Sequence, residues 1–331
     1  MNMLTQTKGS DAMLYSIVIP VYNEAKVLPA LYDRLTPVME GLVEPYEIIF
    51  VNDGSQDDSP LLLRDFQARD KRVKFLSFSR NFGHQIAITA GLDYSSGQAA
   101  VVMDADLQDP PEVVPQLIEQ WRKGYDIVFA VRAKRQGEGL FKRATAALFY
   151  RLFRRMAATE IPLDAGDFRL MSRRAVEALQ SIRERNRFIR GLAGWIGFRQ
   201  TTVTFVRDVR QAGETKYPLK KMLRFALNGL LSFSLVPLQL ASYLGFLISC
   251  IGFFYIVYAI GLKLFTDRVV WGWTSVMVAV LFLGGVQLVS LGIIGEYIGR
   301  IYEEVKQRPL YVVDEAKGFE QLRPPSLRGA S

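Results

Sequence analysis

The sequence predicts an α/β protein with a mostly parallel sheet, followed by two C-terminal membrane-spanning helices. Three observations carry that prediction. From Tyr15 to about Val131, short runs rich in β-branched residues alternate with helical patterns, as parallel strands linked by crossover helices do. Acidic and amide side chains gather just after several of those runs. Near the C-terminus, no Asp, Glu, Lys or Arg occurs between Arg224 and Lys263 or between Arg268 and Glu296, and each interval exceeds the ~20 apolar residues that cross a bilayer.

The strands follow in order. YSIVIP begins at Tyr15 and precedes a helix from Glu24; EIIFV begins at Glu47 and precedes a helix after Gln56. VKFLSF begins at Val73 with a helix from Gly83, AAVVMDAD at Ala99 with a helix from Pro111, and DIVFAVR at Asp126. Continuous apolar runs suit strands covered on both faces. Ligands of such sheets bind beyond the carboxyl ends of the strands. That rule places Pro20, Tyr22, Asn23 and Glu24, then Asn52 and Asp53, then Asp104 and Asp106 on one edge.

The first charge-free interval is nearly twice the length one span needs. Pro237 is therefore expected to separate a juxtamembrane amphipathic helix, residues 216–236, from a span over 237–264, with a second span over 270–296. Lys216, Lys220, Lys221 and Arg224 precede the first span, and Arg300, Lys306 and Arg308 follow the second. This bias places the soluble domain, residues 14–215, and both termini on the cytosolic side of the cytoplasmic (inner) membrane. Residues 1–13 are then a flexible tail and 297–331 a cytosolic C-terminal tail. Trp271 and Trp273 fit an aromatic belt at the other face. The opening residues MNMLTQTKGSDA hold no apolar stretch of signal-peptide length. A further basic amphipathic segment, Leu140 to Met156, suits either the headgroup layer or the domain surface.

Composition narrows the chemistry. One cysteine, Cys250, and one histidine, His84, exclude a disulfide framework and a Cys/His zinc cluster. A metal site would have to be built from carboxylates. Asp104 and Asp106 at a strand end, with Gln108 beyond them, offer hard oxygen ligands of the kind Mg²⁺ or Mn²⁺ takes together with substrate phosphate. The net charge of +8 is concentrated beside the apolar runs, which argues for a lipid bilayer as partner and against nucleic acid. Simpler readings exist for several residues. Glu24 and Asp53 are helix-capping types, Arg169 and Arg190 suit ordinary ion pairs, and His84, opening a helix after RNFG, reads as structural.

IVIPVYNE, VNDGSQD, SRNFGHQ, MDADLQDPPE, Gly166-Asp167-Phe168-Arg169-Leu170 and GETKYPLKKM, in this order, resemble the motifs of inverting family 2 glycosyltransferases with the Rossmann-like GT-A fold. More narrowly, they are similar to the polyisoprenyl-phosphate glycosyltransferases, relatives of dolichyl-phosphate mannose synthase. The resemblance covers about Ser16 to Val313. It implies transfer of a single sugar from a nucleotide-diphosphate sugar to a membrane-embedded polyprenyl phosphate, with inversion at the anomeric carbon. The overall look is closest to bacterial glucosyl carriers, which favours UDP-glucose and undecaprenyl phosphate over GDP-mannose, UDP-N-acetylglucosamine or a UDP-aminoarabinose derivative.

By the family pattern, Pro20, Tyr22, Asn23, Glu24, Asp53 and Asp104 would bind the nucleotide, and Asp104, Asp106 and Gln108 would surround the cation. The catalytic set would be Asp167 near the reacting centre, Asp106, Arg132 facing the diphosphate, and Lys216 on a closing loop. Arg169, Arg190, Lys216, Lys220 and Lys221 are candidates for the lipid phosphate. A homo-oligomer such as a tetramer is also implied; Gly245, Gly252 and Gly261 would permit close helix packing. A phosphate monoester is largely dianionic at pH 7, so the role of Asp167 stays open between general base and orienting a neighbouring Arg. A processive polysaccharide synthase would share the nucleotide motifs but resembles chains with a QxxRW string and more spans, neither present here. A non-catalytic nucleotide-sugar sensor would have no use for Asp106, Asp167 and Lys216 together.

Overall fold

The structure, a computed structural model, describes residues 13–132, 165–185, 187–206, 236–265 and 272–319. These form two compact units. The first carries β1 (Tyr15–Val21), α1 (Leu28–Glu40), β2 (Tyr46–Asn52), α2 (Ser59–Arg69), β3 (Val73–Phe78), α3 (His84–Tyr94) and β4 (Ala99–Val102). It continues with α4 (Val114–Arg122), β5 (Ile127–Arg132), β6 (Ala165–Ser172), α5 (Arg173–Ser181), α6 (Ile189–Trp195), β7 (Gln200–Phe205) and, from the far end of the chain, β8 (Val313–Lys317).

The strands make one sheet in the order β7-β5-β6-β4-β1-β2-β3-β8. Its β4-β1-β2-β3 centre is parallel, but β6 runs antiparallel to β4 and β5, and β8 antiparallel to β3. The sheet is mostly parallel as the sequence predicts, and mixed through the two reversed strands, β6 and β8. Helices cover both faces. On one, Leu28, Leu31 and Leu35 of α1, Leu63 and Phe66 of α2, and Leu117 and Ile118 of α4 pack on the sheet; on the other, Ala87 and Ala90 of α3 pack against Ile49, Val51 and Leu76. Helix α1 starts at Leu28, later than the expected Glu24, because Asn23 to Val27 form a turn laid against the β2–α2 loop.

The chain reverses its order between β1 and β4, and the two strands part early. Their pairing ends at Val18 and Val102, with Met103 N donating to Val18 O. Val18 and Pro20 turn their backbone groups toward β4, whereas Val21 O accepts from Asp53 N on the β2 side. Pro20 therefore stands in a central strand without costing a ladder bond, because the neighbour it would have bonded has already diverged. Such a switch point opens a crevice at the carboxyl ends of the strands.

The expected cytosolic tail, residues 297–331, is partly something else: a long helix starting at Trp273 runs to Val305, and Val313–Lys317 is an integral edge strand. Its polar sequence hid it, since only one side meets the sheet. Tyr311 stacks on Phe78 at 5.2 Å and donates from its hydroxyl to buried Asp93 at 2.9 Å, while Arg183 pairs with the same carboxylate. Arg64 adds a two-pronged bond to Glu315. The soluble domain therefore extends beyond the expected bounds 14–215 to include this strand.

The second unit is a pair of helices in contact, α7 (Val236–Phe265) and α8 (Trp273–Val305). Pro237 lies in the first described turn of α7, and the joint expected there falls at the border of the described residues. Among the described residues one stretch, Val278–Val305, is long and apolar enough to cross a bilayer, with mean hydropathy 2.2; Ala241–Tyr255 in α7 is a shorter apolar run. The Leu140–Met156 segment, the juxtamembrane helix and Trp271 lie outside the described residues.

The strand contributed by the C-terminal segment should matter to the first unit's stability. Tyr311→Ala is expected to cost about 3–5 kcal/mol, as loss of a large buried aromatic does, and Tyr311→Phe about 1 kcal/mol for the single hydrogen bond. Denaturant unfolding of the full chain checks both; equal, negligible losses would mean the segment is not docked.

Candidate active site

The crevice edge collects residues from five strands. Strands β1, β2, β4 and β5 end there, and antiparallel β6 begins there: Val102 pairs with Arg169, so Asp167, two residues before, sits just past the end of β4. Reversal of that one strand brings Asp167 to the same edge as Asp104.

Asp167 is held from every side. Its Oδ1 accepts from Arg169 Nη2 at 2.6 Å. Its Oδ2 accepts from Gln85 Nε2 at 3.1 Å and lies 3.3 Å from His84 Nε2 and 3.9 Å from Arg190 Nη2. Burial alone would raise its pKa; the His84 hydrogen bond and the Arg169 and Arg190 charges overcome this and hold the carboxyl well below the usual range. Burial likewise drops Arg169 to about 10. Arg169 is fully enclosed and spends its fork on Asp167, so it cannot reach a lipid headgroup as proposed from sequence; it acts as the counter-charge behind Asp167.

His84 Nε2 also lies 3.4 Å from Asp104 Oδ1. The imidazole thus bridges the two acids, a place the structural reading of His84 did not foresee. Desolvation would lower its pKa, but the hydrogen bond to Asp167 and the charges of Asp104 and Asp167 raise it overall. Asp104 is raised, chiefly by burial against the His84 attraction, and its Oδ1 is buried without a hydrogen-bond partner. Asp109, missed in the sequence, accepts from Asp104 N through Oδ2 and is pushed up to about 7 by burial and by the Asp104 charge. In the turn after β4, Asp106 Oδ1 accepts from Gln108 N at 3.1 Å, with Leu107 at φ 60°; Gln108 itself is buried.

Among the described residues no three carboxylate, imidazole or thiolate groups form a self-sufficient metal cage. The set present fits a Mg²⁺-type ion instead, which takes one or two carboxylates and completes its shell with substrate phosphate. The unpartnered Oδ1 of Asp104 is the acceptor such an ion would satisfy. Arg132, at the end of β5, stands beside Gly166: a Cβ there would lie 3.5 Å from its Nη2, and its Nε is also unpartnered.

The residues expected to hold the nucleotide line the neighbouring part of the edge. Pro20 is enclosed in β1 and Tyr22 is 46% exposed. Asn23, at φ 56°, donates from its N–H to Ser55 Oγ and accepts from Gln56 N through Oδ1; the Glu24 N–H donates to Ser59 Oγ. Asn23 thereby braces two loops. Asp53 caps a helix, but not the one that follows it. Its carboxylate accepts from Phe82 N at 2.6 Å and Gly83 N at 3.0 Å, at the start of α3. Burial raises its pKa despite those amides. Gly54 permits the approach: at φ 69°, any Cβ would lie 2.6 Å from the Arg80 carbonyl carbon. Lys216, Lys220 and Lys221 lie outside the described residues.

A mixed sheet with a switch-point crevice, paired acids after β4 and a third acid on β6 calls for comparison with known chains. Residues 16–180 match the family model Glycosyl transferase family 2, and residues 236–301 match the GtrB C-terminal hairpin. The chain belongs to glycosyl transferase family 2. Over 93% of its length it is 55% identical to the uncharacterized glycosyltransferase YkcC of Bacillus subtilis, covering 96% of that protein. Over 92% it is 43% identical to the SfII prophage-derived bactoprenol glucosyl transferase of Shigella flexneri, covering 98% of it. A solved structure of glucosyl-3-phosphoglycerate synthase from Mycobacterium tuberculosis, with Mn²⁺, UDP-glucose and glycerol 3-phosphate, aligns with TM-score 0.46 and 22% identity, over 67% of this chain and 80% of that one. This family 2 glycosyltransferase has the GT-A fold, and its hairpin match coincides with α7 and α8.

Since His84 is the single histidine, its imidazole titration can be read directly by NMR. In metal-free protein its midpoint should lie above the ordinary value of about 6.5 and fall in Asp167→Asn. The stability this residue adds is full below the unfolded-state pKa and is lost as pH rises through the raised folded-state value. A midpoint at or below the ordinary value would contradict the bridge.

Proposed function

We propose that this glycosyltransferase transfers one glucose from UDP-glucose to undecaprenyl phosphate at the cytosolic face of the inner membrane, inverting the anomeric carbon. The observation that carries this reading is the meeting, at one sheet edge, of Asp104 with its unpartnered oxygen and Asp167 with its complete set of partners. One acid suits a cation and the donor diphosphate; the other is already neutralised by the protein. The glucosyl and bactoprenol assignments take their support from the Shigella relative and its near-complete coverage.

Asp104 and Asp106 would hold Mg²⁺ or Mn²⁺, which when bound supplies neutralisation of the diphosphate leaving group. Arg132, at the same edge, adds a fixed positive charge toward the departing diphosphate. Tyr22, with nearly half its surface exposed, offers a face to the nucleotide base, and the braced Asn23–Glu24 turn fixes where that face points. Asp167 orients and does not deprotonate: a carboxylate held well below its usual pKa by His84, Arg169 and Arg190 has little affinity for a proton. The acceptor does not need one removed, since a phosphate monoester is already mostly dianionic at pH 7. Arg190, 27% exposed and beside Asp167, is positioned to meet an anionic acceptor, with Lys216, Lys220 and Lys221 as further candidates.

A lipid phosphate stays in its headgroup plane, so an enzyme that uses it must be anchored there. Helices α7 and α8, read as two spans with both termini cytosolic, would do this, and basic residues flanking them would add roughly 1 kcal/mol each toward an anionic leaflet.

Membranes containing the full chain, given Mg²⁺, undecaprenyl phosphate and a panel of radiolabelled nucleotide sugars, test the reading. Label from UDP-glucose should enter the organic phase at one sugar per lipid and disappear on chelation. Asp106→Asn should lower the rate about 100-fold or more, as loss of a group that stabilises transition-state charge does. Labelling from a different donor would reassign the sugar, many sugars per lipid would indicate a polysaccharide synthase, and labelling from none would remove the function.

A further inference from the structure

Gln85 belongs to the SRNFGHQ motif, yet neither the cation nor the nucleotide reading uses it. Its side chain has two strong commitments. Nε2 donates to Asp167 Oδ2 at 3.1 Å, and Oε1 accepts from Ile189 N at 3.0 Å. The amide orientation is not arbitrary: a backbone N–H can only donate and an ionised carboxylate can only accept, so the oxygen must face Ile189 and the nitrogen Asp167. Ile189 is the first residue of α6, and the next residue is Arg190, whose guanidinium lies 3.9 Å from the same Asp167 oxygen.

The helix that carries Gln85 is itself fixed. Asp53 takes the N–H groups of Phe82 and Gly83, the two residues that lead into α3, and the Gly83 N–H is one of the donors that a helix N-terminus leaves open. From that anchored end, His84 and Gln85 reach Asp167 side by side. His84 faces both acids, while Gln85 ties Asp167 to α6.

We propose that Gln85 is a positioning residue: its amide sets the orientation of the Asp167 carboxylate and ties to it the start of α6, which carries Arg190 toward the acceptor. This rests on the reading of Asp167 as the acid beside the reacting centre. A neutral amide suits the task. It donates to a carboxylate without adding another positive charge to a cluster that already has Arg169 and Arg190, and it accepts from Ile189 with its other end. Glutamate would keep the Ile189 bond and set a like charge against Asp167; leucine would lose both bonds at similar volume.

The test compares steady-state transfer from UDP-glucose to undecaprenyl phosphate by the full chain in unsubstituted, Gln85→Leu, Gln85→Glu, Asp167→Asn and Gln85→Leu/Asp167→Asn forms. Gln85→Leu should lower kcat about 10- to 100-fold, the scale of a misplaced reacting group, with KM for UDP-glucose changed less than about twofold. Gln85→Glu, nearly isosteric and so expected to fold, should lower kcat at least as far. In the Asp167→Asn background, Gln85→Leu should cost no more than about twofold further, because both act through one carboxylate. Transfer by the unsubstituted chain with full kcat in Gln85→Glu, or losses from the two sites that simply multiply, would overturn the role of Gln85 alone. No labelled lipid from the unsubstituted chain would overturn the proposed reaction and this role with it.

Discussion

Carboxylates confined to one poorly solvated edge repel each other, and a fold that gathers them must supply counter-charge or leave some protonated. Here the supply is uneven. Asp167 has Arg169 at 2.6 Å, with His84, Gln85 and Arg190 around its second oxygen. Among the described residues Asp104 has the His84 contact and the charge of Arg132 to offset it, and keeps a buried oxygen without a hydrogen bond. Asp109, buried and beside the Asp104 charge, is raised to about 7. The protein neutralises Asp167 within itself and leaves Asp104 with an unpartnered oxygen. In the proposed function, that asymmetry separates a donor side from an acceptor side.

Topology makes the asymmetry possible. The parting of β1 from β4 after Val18 opens the crevice, and the reversed strand β6 delivers Asp167 and Arg169 into it from the opposite direction. Arg169, with no exposed surface, is affordable only because it is paired; removing Asp167 would strand a buried cation, which is far more costly than the pair itself is stabilising. At the other edge of the sheet, β8 returns from beyond the helical hairpin and is secured by Tyr311, Asp93 and Arg183. The catalytic unit is therefore built from both sides of the hairpin in sequence.

Much of this was legible in the chain. The five strands from Tyr15 to Arg132 announce themselves as unbroken apolar runs, and the acids that follow them fall where strand ends must lie. The strands β6 and β8 do not announce themselves: AGDFRLMS carries a buried arginine and a buried-edge aspartate, and VDEAK is polar because one side faces solvent. The role of Arg169 was misread for the same reason, since sequence shows a charge but not what encloses it. His84 and Gln85 belong to the SRNFGHQ motif, but contacts to Asp104 and Asp167, some 20 and 80 residues away, depend on where α3 is anchored. That anchor, the Asp53 carboxylate on the amides of Phe82 and Gly83, has no local signature, because a helix cap is normally sought just before its own helix.

If Asp104 is the acid left for an external cation, anomalous diffraction from crystals of the full chain grown with Mn²⁺ and uridine diphosphate will locate the ion there. One strong peak is expected, bound by carboxylate oxygens of Asp104 and Asp106 and by phosphate oxygen, at roughly 2.0–2.2 Å for an ion of this class, with His84 turned to Asp167 alone. A peak on Asp167, or ordered diphosphate at this edge with no ion beside Asp104, would contradict it.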